Sequence, residues 1–199
     1  MSRRIPRLEL TEMEPDLAAY LAPRVARLKY LGELFKCAAH APRVLLTFMH
    51  FTDALKEALP DRLTECAVLT TATLMENRYE RNQHERLSVR LGFGRDWVRE
   101  VERLEPDTAV LMSEDERAVQ RYALAAVRTR GLDAADEFDA LCKRIPAAQA
   151  MAIVMLVGRY VTHALVVNTL RLDPPVPSIW EDGFTGDGAP AKSSQAKSQ

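Results

Sequence analysis

The sequence predicts an all-α protein, a single-domain bundle of about eight helices around a central helical hairpin. Three observations carry this. Apolar residues recur every three to four positions through most of the chain, the period of a helix with a buried face. Only 8 glycines occur among 199 residues, while alanine and leucine, both strong helix formers, are abundant. Proline stands at two helix starts, Leu59-Pro60 and Ile145-Pro146, where its fixed φ suits a first turn and its missing N–H is not needed.

In chain order, residues 16–29 form a first helix, which Pro23 is expected to break or kink. Residues 31–40 and 42–59 are the next two helices, with Pro42 opening the second and Leu45, Leu46, Phe48, Met49 and Leu55 giving it a wide apolar stripe. The hairpin spans Leu59 to Gly92. Its first helix carries Leu63, Cys66, Ala67, Leu69 and Leu74, and its second carries Tyr79, Glu80, His84, Leu87 and Leu91 before the glycine stop. Residues 95–104 are a short helix with Trp97. Ser113 followed by Glu116 is a capping-box signature that starts the helix 114–130. Residues 133–145 form an amphipathic helix, and 146–170 form one so apolar around its circumference that it belongs at the centre or at a subunit interface. Beyond Asp173 the helical pattern fails. Residues 174–184 read as an extended segment that docks through Trp180 and Phe184, and 185–199 read as a disordered polar tail.

Composition narrows the function. The 27 basic and 28 acidic residues nearly cancel, so the concentrated basic excess of a nucleic-acid binder is missing. The N-terminal stretch has no apolar signal-peptide core, and the longest apolar run, near 150–158, is interrupted by Arg159. A cytoplasmic protein without a membrane or nucleic-acid partner is the expectation. Cys37, Cys66 and Cys142 are odd in number and widely spaced, and read as buried free thiols in a reducing compartment. Neither they nor the four histidines have metal-ligand spacing, and no phosphate-cradling glycine loop occurs, so no metal and no cofactor is expected.

Chemical potential concentrates in the hairpin. Glu80 and His84 are four apart on one helix and can touch. A carboxylate beside an imidazole fixes its tautomer and raises its basicity, which suits general acid–base catalysis. Glu65, on the preceding helix, can face His84 across the seam of an antiparallel hairpin. The same spacing also describes a solvated surface pair, because Arg78, Arg81, Glu85 and Arg86 surround it with charge. His50, between Met49 and Phe51, reads as a core or pocket-wall histidine, and His40 as a residue at a helix C-terminus. His163 and Tyr160, among apolar neighbours on the last helix, are second-tier candidates for the pocket.

The segment LPDRLTECAVLTTATLMENRYERNQHERLSVRLGF resembles the core of the carboxymuconolactone decarboxylase and alkylhydroperoxidase-D-like superfamily. The matching features are the Leu-Pro-x-Arg-Leu start, Glu65, the Tyr-Glu-x-x-x-His segment at Tyr79, Glu80 and His84, and the closing glycine. Flanking helices extend the resemblance over 31–173, which makes that span the family-like helical domain and 1–30 an N-terminal segment with its own helix. One departure matters. The peroxidase branch carries Cys-x-x-Cys-x-x-x-His on this helix, and counting back from His84 puts those cysteines at Asn77 and Glu80. Neither is a thiol, and thiolate is the nucleophile in peroxide reduction.

The resemblance therefore implies the cysteine-free branch. That means a cofactor-free, lyase-like enzyme in which His84, with Glu65 and Glu80, transfers protons in a decarboxylation or related carbon-acid reaction. The substrate would be a small carboxylate or lactone, with Tyr79, Arg62, Arg78, His50 and Phe51 as its binding residues and Phe48 in the pocket wall. It implies a homo-oligomer as well: a dimer, trimer or hexamer. The alternatives are a catalytically silent helical scaffold or binding module, and a thiol peroxidase working through Cys66.

Overall fold

The computed structural model describes residues 5–181, and every regular element among them is helical. After a 3-10 turn at Leu10–Glu12 come α1 (Pro15–Leu28), α2 (Glu33–Ala38), α3 (Pro42–Ala58), α4 (Asp61–Leu74), α5 (Arg78–Arg90), α6 (Arg95–Glu102), α7 (Glu114–Thr129), α8 (Ala135–Cys142) and α9 (Ala147–Leu170). Proline lies in the first turn of α1 and α3, and Pro60 and Pro146 sit one residue ahead of α4 and α9.

Helix α4 is the axis. It is enclosed by α5, α7 and α9, so Leu63 through Ala72 are all buried rather than one face of them. Three of its threonines are satisfied inside. Thr64 and Thr71 donate to the carbonyls four residues back at 3.1 and 2.8 Å, and the Thr70 hydroxyl accepts from Gln120 at 3.0 Å. A buried hydroxyl without a partner would cost about 1–3 kcal/mol. At the hairpin turn the backbone N–H of Asn77 reaches the Ala72 carbonyl at 2.8 Å, and the Asn77 side chain caps α5 by accepting from the Glu80 N–H. Gly92, with φ of 84°, closes α5 in a conformation that L side chains rarely adopt.

Helix α1 continues through Pro23 without a break. Contacts on both sides of the proline hold it. Leu17 and Leu21 pack with Leu45 and Met49 of α3, and Tyr20 and Arg24 both bind Asp53 on α3. The capping box at Ser113 and Glu116 forms as read, with bonds of 3.2 and 2.6 Å. Cys37 and Cys66 are buried, whereas Cys142 is exposed, because it occupies the last turn of α8 on the side away from buried Leu141. Helix α9 is by length and hydropathy able to cross a membrane, yet 56% of its most apolar window is buried within the protein. Its polar residues Arg159 and His163 are buried there too.

The stretch after α9 docks as an extended strap on α5 and α6. Asn82 and Arg86 donate to the carbonyls of Val176 and Pro177 at 3.0 and 2.7 Å. Glu85, fully buried, accepts from the Ser178 hydroxyl at 2.5 Å and the Ile179 N–H at 2.8 Å. The indole N–H of Trp180 donates to Glu102 at 2.8 Å, and Arg95 and Arg99 lie against its ring. Phe184 and the expected tail 185–199 lie outside the described residues.

Burial, and next the charge of Glu85, push Glu102 up to about 7. Because the folded pKa lies above the usual carboxyl value of about 4.3, the stabilisation is complete at low pH and is lost as pH rises through 7. Glu102→Gln is expected to flatten the fall in melting temperature between about pH 5 and pH 8. An unchanged slope would show that the acid pair does not govern strap docking.

Candidate active site

Three helices bring five titratable side chains into one chain of polar contacts. Glu65 on α4 and His84 on α5 meet across the hairpin seam, with Glu65 Oε2 2.7 Å from His84 Nδ1. Both are buried, and Ser88 Oγ lies 3.4 Å from the same carboxylate oxygen. The other ring nitrogen of His84 sits 3.2 Å from Glu80 Oε2 and 3.0 Å from the Tyr160 hydroxyl on α9. Glu80 continues the chain, its Oε1 being 2.6 Å from His163 Nε2.

Asn77 sets the proton on that last link. Its side-chain oxygen accepts from the Glu80 N–H, so its amide NH2 faces His163 Nδ1 at 3.2 Å. That nitrogen must then accept, which leaves the His163 proton on Nε2, the nitrogen 2.6 Å from Glu80 Oε1. The two positions that carry cysteines in the peroxidase pattern have thus become a helix cap that orients a histidine, and a carboxylate that bridges two histidines.

Charge follows from this geometry. Burial works against a charged His84 ring, but Glu65, and after it Glu80, hold its pKa above the ordinary value. Burial likewise works to raise Glu80, yet the imidazoles of His163 and His84 on its two oxygens hold it well below the usual carboxylate range. A proton on His84 Nε2 is then shared with an ionised Glu80 and the Tyr160 oxygen. When His84 gives that proton up, the Tyr160 hydroxyl can turn and donate to the nitrogen in its place. Burial raises the pKa of Tyr160 and of Tyr79, so both remain hydroxyls.

The assembly opens into a cavity of about 190 Å³, which His84, Glu80, Tyr79 and Tyr160 line. Helices α1, α2 and α3 complete its walls with Leu28, Leu34, Phe35 and Met49. Gly32 fixes one edge. A Cβ there would stand 2.4 Å from the Tyr79 hydroxyl, which accepts from the Leu34 N–H at 3.3 Å, so any side chain would drive Tyr79 out of the wall.

Of the residues nominated from sequence, Glu65, Glu80, His84 and Tyr79 come together here. The others are placed elsewhere. Arg62 binds Glu116 at 2.6 Å and lies against the rings of Phe93 and Trp97. Arg78 is exposed and pairs with Glu181, and Arg81 pairs with Glu85. His50 is exposed, edge-on to Tyr20, because α3 turns Met49 inward and the next residue out. Phe51 packs on the core and, with Phe48 and Val44, lines a shallow groove along α3. His40 is exposed, with Nε2 3.1 Å from the Pro6 carbonyl. Cys66 is fully buried, 3.3 Å from the Glu116 carbonyl; burial pushes its thiol up, and it does not reach the cavity.

Two residues that sequence reasoning did not place at the centre stand there: His163 and Arg159. The signal for both was the same. A polar residue inside a helix apolar all round must find a partner within the fold.

No family profile and no curated protein sequence matches the chain. Solved structures do. The alkylhydroperoxidase AhpD core of an uncharacterized peroxidase-related protein from Ralstonia eutropha JMP134 superimposes with a TM-score of 0.74 at 19% identity, over 91% of this chain and 93% of that one. The debrominase Bmp8 gives 0.75 at 16% identity, over 88% and 94%. A protein of unknown function from Agrobacterium tumefaciens, ATU0492, described as a putative antioxidant defence protein AhpD, gives 0.64 at 18%, over 70% and 96%. At these identities the likeness is one of fold. The chain has the AhpD-like all-α fold that its hairpin resembles.

Proposed function

We propose that this protein is an enzyme that moves a proton to or from carbon on a small molecule, with His84 as the group that gives or takes it. One observation carries the reading: His84 lines the cavity, with Nε2 between Glu80 and Tyr160 and Nδ1 anchored on Glu65 at 2.7 Å. A general acid or base needs a fixed tautomer, a group that tunes its basicity and access to the substrate. Glu65 supplies the first two and the cavity the third.

In a decarboxylation the bond between the carboxylate and its carbon breaks and carbon dioxide leaves. The electron pair stays on the carbon, which takes the proton from His84 Nε2. The Tyr160 hydroxyl then hydrogen-bonds the bare nitrogen until solvent returns the proton. Run without loss of carbon dioxide, the same groups exchange a proton beside a carbonyl. Both reactions leave one signature, deuterium from heavy water fixed at the reacting carbon, readable by NMR across a panel of small carboxylic acids and lactones.

A thiol peroxidase is the weaker reading, because none of the three cysteines lines the cavity and Glu80 stands at a motif cysteine position. Exposed Met151, Met155 and Leu165 lie along one side of α9, and this apolar face supports a homo-oligomer joined there. Light scattering should report a smaller mass for Leu165→Glu than for wild type, and equal masses would remove α9 from the interface.

A further inference from the structure

We propose that the inner end of the cavity is a carboxylate-binding subsite built on Arg159, which holds the acidic end of an otherwise apolar substrate beside Glu80 and His84. The purpose assigned to the bound group rests on the proton-transfer reading; the binding itself does not.

Arg159 is buried, its side chain 4% exposed, and its position is fixed from three sides. Its guanidinium lies 4.2 Å from the ring centre of Tyr160 and 4.7 Å from that of Phe48. Its Nε donates to Thr52 Oγ1 at 2.9 Å. Yet Nη1, also buried, has no hydrogen-bond partner. The nearest carboxylate oxygen, Glu80 Oε1, is 4.0 Å away, and His163 already holds it at 2.6 Å. A buried cationic donor without an acceptor is costly, and its side chain lines the cavity. The planar fork of a guanidinium matches a carboxylate.

The rest of the lining agrees. Arg24, Arg27, Lys56, Arg90 and Arg159 line the cavity with Glu80, and Asp53 offsets Arg24, which leaves an excess of cations that draws anions inward. Leu28, Leu34, Phe35, Met49 and Leu87 offer apolar surface for the remainder of the molecule. The ligand class is thus a small apolar or aromatic monocarboxylic acid. Held by the guanidinium of Arg159, its acidic group lies next to Glu80, whose other oxygen is 3.2 Å from His84 Nε2, so the carbon bearing that group is presented to the proton-transferring nitrogen.

The test compares benzoate with benzamide, which has the same shape and no charge, by calorimetric titration and thermal melting. Wild type should bind benzoate at least about tenfold more tightly than benzamide, and Arg159→Gln should weaken benzoate about ten- to hundredfold while leaving benzamide unchanged. Arg159→Lys, which keeps the charge but not the fork, should recover part of the loss.

Equal affinity for acid and amide in wild type, or no benzoate binding at millimolar concentration, overturns the subsite without any variant having to fold. Undiminished benzoate binding by a folded Arg159→Gln does so as well. His84→Ala separates the two claims. Benzoate binding that survives in a variant whose turnover is unaffected rejects the proton-transfer reading alone. Turnover lost with His84 but indifferent to Arg159 rejects the subsite alone.

Discussion

His84→Ala should lower turnover of a proton-transfer substrate by about 10²- to 10⁴-fold, the usual contribution of a positioned general acid or base. The effect should fall on kcat more than on KM, because His84 acts on the moving proton while the rest of the cavity holds the substrate. Removing the ring also leaves Glu65 and Glu80 without their partner, so His84→Gln, which keeps a polar side chain in the gap, is the companion variant. If both variants melt within a few degrees of wild type and still turn over at the wild-type rate, the site is abandoned.

The sign of the pH dependence is set as well. His84 is held above its ordinary value of about 6.5. Its ion pair with Glu65 therefore contributes stability in full below about pH 6.5, and loses it as pH rises through the higher folded value. A proton-donating reaction should fade over the same window. His84→Gln should remove this part of the stability profile while leaving the part that belongs to Glu102.

Glu100→Ala should cost on the order of 3 kcal/mol. This one carboxylate accepts three successive backbone N–H groups, those of Val110, Leu111 and Met112, at 2.7, 2.7 and 2.8 Å. It thereby shapes the connector between α6 and α7. A hydrogen bond to a charged group is worth about 1.5–3 kcal/mol, and solvent can replace part of that at the exposed Val110 and Leu111. For a domain of this size the loss corresponds to a fall of about 6–12 °C in Tm. Glu100→Gln, with a single acceptor oxygen, should lose roughly half as much. A fall of less than about 2 °C for the alanine variant would mean that the connector holds its shape without the carboxylate.

The helices were legible because their boundaries are written locally. Proline at a start, Ser113 with Glu116 at a cap and glycine at a stop each act within one turn of the residue that encodes them. The Glu65–His84 contact was legible for a related reason, since a short hairpin brings its two helices together with little freedom. Beyond that reach local rules stop. Arg159 and His163 lie 75 or more positions from His84, and no spacing announces which face of α9 meets α5. The phase of α3 decided His50, where one residue of rotation, about 100°, separates a pocket wall from solvent. Arg62 was nominated for its charge, but its partner Glu116 is 54 residues away on a helix whose packing the sequence does not specify.

Helix α5 carries a consequence for tolerance to substitution. Asn82, His84, Glu85 and Ser88 are all buried, although the helix is among the most polar in the chain. His84 answers to the cavity side, while its neighbour Glu85 answers to the strap at Ser178 and Ile179. In an ordinary helix the apolar face resists exchange and the charged face drifts freely. Here the charged positions are the constrained ones, and freedom is left to an exposed residue such as Arg78. A saturation library over residues 78–90 should therefore show its deepest losses at glutamate and histidine, and a variant selected for activity would keep its polarity in the interior.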